Sequence, residues 1–105
     1  MTNGLPLEMF ESEDLNTLDL SHNSLAEFPD GIYNAKSLLV LNMSNNKLEI
    51  IPSQLFMSCT DLLNLDLSDN NLEQLPPQLR RLTNLQTLAL SNNPLSHFQV
   101  IPSNF

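Results

Sequence analysis

The chain has 105 residues and a mass of 11.8 kDa, with 41% apolar residues, one Cys, two Gly and seven Pro, enough for one domain. Twelve carboxylates against four basic groups give a net charge of -8, which works against a nucleic-acid groove or an anionic membrane surface. One Cys makes no internal disulfide, and secreted domains this small usually depend on such bridges, so the expected home is a reducing compartment, the cytoplasm first.

Residues 1–15 carry Glu8, Glu11, Glu13 and Asp14 but no Lys or Arg, unlike a signal peptide with its basic start and apolar run. Residues 1–14 read as the second half of a repeat, with Leu5, Pro6, Met9 and Leu15 in the places that Phe28, Pro29, Ile32 and Leu38 take next. Full repeats then open at Leu15 (LNTLDLSHNSL), Leu38 (LLVLNMSNNKL), Leu62 (LLNLDLSDNNL) and Leu85 (LQTLALSNNPL), spaced by 23, 24 and 23 residues. The longest uninterrupted apolar run is four residues, Leu38 to Leu41, far short of the roughly 20 needed by a membrane helix.

Each position of the unit has a mechanical reading. The alternation of Leu18 and Leu20 with Asp19 and Ser21 has the two-residue period of a strand, leucines inward and polar residues outward. A return path of about 23 residues is long enough for parallel pairing with the next copy. A sharp turn follows, and the amides of Asn23, Asn46, Asn70 and Asn93 are placed to serve turn peptide groups as donor and acceptor, forming a ladder. The second halves, LAEFPDGIYNAKS, LEIIPSQLFMSCTD and LEQLPPQLRRLTN, place Pro29, Pro52 and Pro76 three residues before Ile32, Leu55 and Leu79. A fixed φ suits these prolines to the first position of a helical or 3₁₀ turn. Cys59, three residues before Leu62, reads as a small buried core residue. At the far end Leu95 and Phe98 keep the pattern, and Gln99 stands where Pro is expected.

This is the leucine-rich-repeat pattern. It implies an α/β solenoid: a curved parallel sheet on the concave face and short helical or 3₁₀ turns on the convex face, with four repeats and a partial one at the amino end, as one array over residues 1–105. The stretches NAKSLLVLN, IPSQLF, TDLLNLDLS, LPPQLRRLTNLQTLAL and NNPLSHFQ further resemble the repeats of the flightless family, actin-regulating members of the gelsolin superfamily. The resemblance implies the partner-docking half of such a protein, near the cytoskeleton or in the nucleus as well as in the cytoplasm, with coiled-coil flightless-interacting proteins or a Ras-type GTPase as partners. It implies no actin severing by these residues. Both ends cut through a repeat, which leads us to expect a piece of a longer array that is marginally stable alone, its end faces lacking a polar cap.

The outward strand and turn positions define the candidate partner surface: Thr17, Asp19, Ser21 and His22; Val40, Asn42, Ser44 and Asn45; Asn64, Asp66, Ser68 and Asp69; Thr87, Ala89, Ser91 and Asn92. Three are acidic and none is Lys, Arg, Phe, Tyr or Trp, favouring a basic or polar peptide or helix over stacked bases. The repeating serines read as turn residues, and the acidic groups divide between a solvated face and a binding contact. His22 and His97 lie in different repeats without carboxylates at ligand spacing, so no metal site or cofactor is expected. Arg80 and Arg81 fall on a convex turn as a solvated pair, and Asn42-Met43-Ser44 is a glycosylation acceptor in form only, placed in mid-strand. No Ser, His and Asp set converges, so catalysis has no candidate. The function expected is protein–protein interaction; the alternatives are a small-GTPase-binding adaptor or a fragment without an independent role.

Overall fold

A computed structural model describes residues 7–95. Four short strands, β1 (Thr17–Asp19), β2 (Val40–Asn42), β3 (Asn64–Asp66) and β4 (Thr87–Ala89), form one sheet in the order β1-β2-β3-β4. All pairings are parallel, and the repeat sets the register: Leu18 faces Leu41, Leu41 faces Leu65, and Leu65 faces Leu88. The ladder continues past each strand, with the amide of Leu20 donating to the Asn42 carbonyl, that of Met43 to Asp66 and that of Leu67 to Ala89. Equivalent residues of successive coils are thus tied together, and the leucines between them form a single dry stack.

The return path lies on the convex side as short helical turns at Leu7–Glu11, Ile32–Asn34, Ser53–Ser58 and Pro77–Arg81. Pro52 and Pro76 do not take the first helical position expected of them. Each is extended and sits one residue earlier, at the cap, with ψ of 132° and 144°. Pro29 stands earlier still, two residues before the Gly31 cap. The shared element is the carbonyl: those of Pro29, Pro52 and Pro76 accept from the amides of Ile32, Leu55 and Leu79, so each proline opens the turn through its oxygen while its ring fixes the approach.

One turn is α-helical and the others are 3₁₀, and the sequence spacing explains why. The 24-residue interval from Leu38 to Leu62 holds one residue more than its neighbours. Cys59 therefore bonds four residues back, to Leu55, where Ala35 and Leu82 bond three back, to Ile32 and Leu79. The wider turn presses Phe56 fully inside and leaves Met57 exposed. Ile32, Leu55 and Leu79 are completely buried and meet the strand leucines from behind.

Cys59 is buried in this layer, its Sγ donating weakly to the Ile32 carbonyl at 3.5 Å. Burial pushes its thiol from the ordinary 9.0 up to about 11. Alkylation by iodoacetamide at pH 8 should therefore run about 100-fold slower in the native chain than in denaturant. A raised folded-state pKa means that the neutral thiol's contribution to stability is intact below the unfolded value and drains away as the pH climbs toward 11.

Calls on Leu5, Pro6, His97, Phe98 and Gln99 lie outside the described residues. Among the described residues, no helix is long and apolar enough to cross a membrane, and no group of three or more His, Cys, Asp or Glu is placed to hold a metal ion.

Candidate protein-binding surface

The concave face is built by strand alternation, with Leu18, Leu41 and Leu65 inward and their neighbours outward. Thr17, Asp19, Asn64 and Thr87 are exposed, while Val40, Asn42, Asp66 and Ala89 are half-buried by adjacent coils. The structure brings these eight together as two columns across the sheet, one of Thr17, Val40, Asn64 and Thr87 and one of Asp19, Asn42, Asp66 and Ala89.

The second column is partly spent on the fold. Asp19 Oδ1 accepts from the Ser21 amide at 3.0 Å and from its hydroxyl at 2.6 Å. Asn42 Oδ1 does the same with Ser44 at 2.9 and 2.7 Å, and Asp66 Oδ1 accepts from the Ser68 amide at 3.0 Å. Each is a side-chain turn that closes the strand end. The serine hydroxyl bond, then the amide bond, holds the Asp19 carboxyl below its usual range. Ala89 has no oxygen to offer, and Ser91 Oγ turns instead to Ser68 Oγ at 3.2 Å. Ser44 and Ser68, placed on the outward face by sequence reasoning and read there as turn residues, are buried: the Ser44 hydroxyl donates back to Asn42 Oδ1, and that of Ser68 accepts from Ser91 of the next coil.

His22, Asn45, Asp69 and Asn92 form the next row, and all four have positive φ, between 57° and 61°. Few residues other than Gly tolerate this left-handed region, with Asn, Asp and His foremost, so the identity of this row follows from backbone conformation. Two lateral contacts join its members: Asn45 Nδ2 lies 3.4 Å from His22 Nε2, and Asn92 Nδ2 donates to Asp69 Oδ1 at 2.8 Å.

Behind this row, the asparagine amides stitch each turn to the one before. Asn46 Oδ1 accepts from the amides of Asn23 and Leu25, and its Nδ2 donates to the carbonyls of Leu20, Met43 and Ser44. Asn70 and Asn93 repeat the arrangement one coil on, receiving the amides of Leu48 and Leu72. Asn23, in the first full repeat, donates to the carbonyls of Leu20 and Ser21. Arg80 and Arg81 are exposed on the convex 3₁₀ turn, away from the sheet.

A second surface was not identified by sequence reasoning. On the flank where each turn descends toward its proline, two grooves of about 540 and 450 Å³ run between successive coils, and both are walled by Ile50. Ile50 is 76% exposed. The signal was present in the register: LAEFP, LEIIP and LEQLP put Glu27 and Gln74 where Ile50 stands.

The leucine rich repeat family model matches residues 13–72 and 36–95, most of the chain. A 58-residue stretch, 55% of the chain, is 57% identical to the mouse protein flightless-1 homolog. The chain spans about 5% of the length of that relative. Among solved structures, it is similar to the BIR2 ectodomain of Arabidopsis thaliana, with a TM-score of 0.66 and 35% identity over 72% of the chain and 41% of the ectodomain. It is also similar to the leucine-rich-repeat ectodomain of the plant receptor kinase GASSHO1/SCHENGEN3 from the same species, solved with Casparian strip integrity factor 2. There the TM-score is 0.72, with 32% identity over 85% of the chain and 11% of the ectodomain.

Proposed function

This chain belongs to the leucine-rich repeat family, and from that premise we propose that it is a non-catalytic protein-interaction module whose concave sheet takes a basic or polar peptide or helix. The observation that carries this is the double column across β1–β4. Its side chains are small, it includes the carboxylates of Asp19 and Asp66, and it has no Lys, Arg or aromatic group to block or repel a cationic ligand. Asp69 adds a third carboxylate beside it, with Thr17, His22, Val40, Asn42, Asn45, Asn64, Thr87 and Asn92 completing the contact set. The turn bonds fix Asp19, Asn42 and Asp66 in place, so binding orders few additional side chains in that column. The likeness to the flightless-1 homolog supports a role among coiled-coil partners in cytoplasmic, cytoskeleton-linked assemblies; a Ras-type GTPase partner is the alternative within this reading.

The test is fluorescence anisotropy with a labelled helical peptide of arginine and glutamine that contains no leucine. Asn64→Arg combined with Thr87→Arg should weaken binding at least about tenfold, since like charge on the concave face costs several kcal/mol. Arg80→Glu on the convex side should leave it within about twofold. The reverse pattern overturns the assignment of the surface.

A further inference from the structure

Ile50 is out of place by the logic of the fold. Its register partners Glu27 and Gln74 are polar and its own side chain is 76% exposed, so packing does not require a branched apolar residue there. Single exposed apolar residues are ordinary, but this one forms a ridge between two grooves. On one side the wall continues through Phe28, Pro29 and Pro52; on the other it continues through Leu75, Pro76 and Pro77. Phe28, Pro29 and Leu75 are themselves buried, so the apolar surface open to a ligand is Ile50 with the half-buried Pro52 and Pro76 and the exposed Pro77, on a flank distinct from the concave sheet.

This surface is rimmed by carboxylates. Glu27 and Asp30 border the first groove, Glu49 borders both and Glu73 borders the second, with Lys47 the one cation among the lining residues. The rim's field reaches Tyr33 in the first groove: burial and then the Asp30 charge hold its hydroxyl above the usual range. A second copy of this chain, at a net charge of -8, would bring repulsion to such a rim. A ligand with cations flanking an apolar side chain would gain on both counts.

We propose that this flank is a second docking site, in which a basic segment of a partner protein seats an apolar side chain beside Ile50 and sets its Lys or Arg residues against Glu27, Asp30, Glu49 and Glu73. An apolar anchor in a groove with a charged rim gives both binding energy and orientation. The site is independent of the concave one, and a partner long enough to reach both would gain through linkage.

The experiment uses a labelled peptide of alternating arginine and leucine on the full chain, with the glutamate-for-arginine peptide as control, followed by anisotropy. The arginine–leucine peptide should bind and the control should not. Ile50→Ser should weaken binding at least about fivefold, and Glu49→Lys with Glu73→Lys at least about tenfold, the attraction also fading as NaCl rises from about 50 to about 500 mM. Both sets of changes are at exposed positions, and unchanged circular dichroism confirms that they leave the fold intact. Binding of the leucine-free peptide should be indifferent to Ile50→Ser, which separates this site from the concave one. Equal binding of the arginine–leucine peptide by wild-type and Ile50→Ser chains overturns the proposal, as does equal binding of the control, or self-association of the chain that Ile50→Ser abolishes.

Discussion

Leu65→Ala should remove about 3 to 5 kcal/mol of stability, a larger loss than the same change in either end strand. Leu65 is 1% exposed at the centre of β3, between Leu41 and Leu88 in the two flanking strands. Truncation removes its own transfer energy and leaves a void that the stack above and below cannot close. In a solenoid, stability is close to a sum of coil and interface contributions, and this leucine belongs to two interfaces. The same change at Leu88, which is half-buried in β4, should cost about 1 to 2 kcal/mol, since less surface is removed from the dry interior. Urea denaturation of both variants checks the order. A Leu65→Ala loss below that of Leu88→Ala would mean that the coils do not share one core.

Much of this core was legible because the leucine spacing carries the register directly: once Leu18, Leu41, Leu65 and Leu88 are aligned, parallel pairing and a common inward direction follow. Even the single α-helical turn was written in the sequence, as the one extra residue between Leu38 and Leu62. The outward positions were harder to read, because the same polar residue serves a turn or a ligand with equal ease. Asp19 and Asp66 looked like an anionic binding face, yet each commits an oxygen to the serine two residues on. His22, Asn45, Asp69 and Asn92 read only as partner-surface positions, yet they also meet a shared demand for positive φ. Ile50 failed to register for the opposite reason. It does not break the leucine pattern, and only comparison with Glu27 and Gln74 shows that an exposed position has become apolar.

The second large effect is expected at Asn70, where one side chain serves four backbone groups. Its Nδ2 donates to the carbonyls of Met43 (3.0 Å), Leu67 (3.1 Å) and Ser68 (3.1 Å), and its Oδ1 accepts from the Leu48 amide (3.0 Å). The amide is buried and spans two coils, so Asn70→Ala orphans groups on both sides of an interface. Each unsatisfied group costs about 1 to 3 kcal/mol, and water entering the vacated space offsets part of the sum, leaving an expected loss of about 3 kcal/mol. Asn23→Ala should cost less than about 1 kcal/mol, because Asn23 is exposed and water replaces its bonds.

Asn70→Asp separates hydrogen bonding from packing. The shape is kept, but a carboxylate has no donor for the three carbonyls and sets a negative charge against them, so this variant should be less stable than Asn70→Ala at pH 7. The charged form is disfavoured in the folded state, which raises the folded pKa above the unfolded value of about 3.9. Stability is then fullest below that value and is lost as the pH rises through the folded pKa. The deficit relative to wild type should therefore shrink between pH 7 and pH 4 for Asn70→Asp and stay nearly constant for Asn70→Ala. A pH-independent deficit in the Asp variant would mean that the amide acts by filling space, and that donation to the carbonyls of neighbouring coils does not hold the turns together.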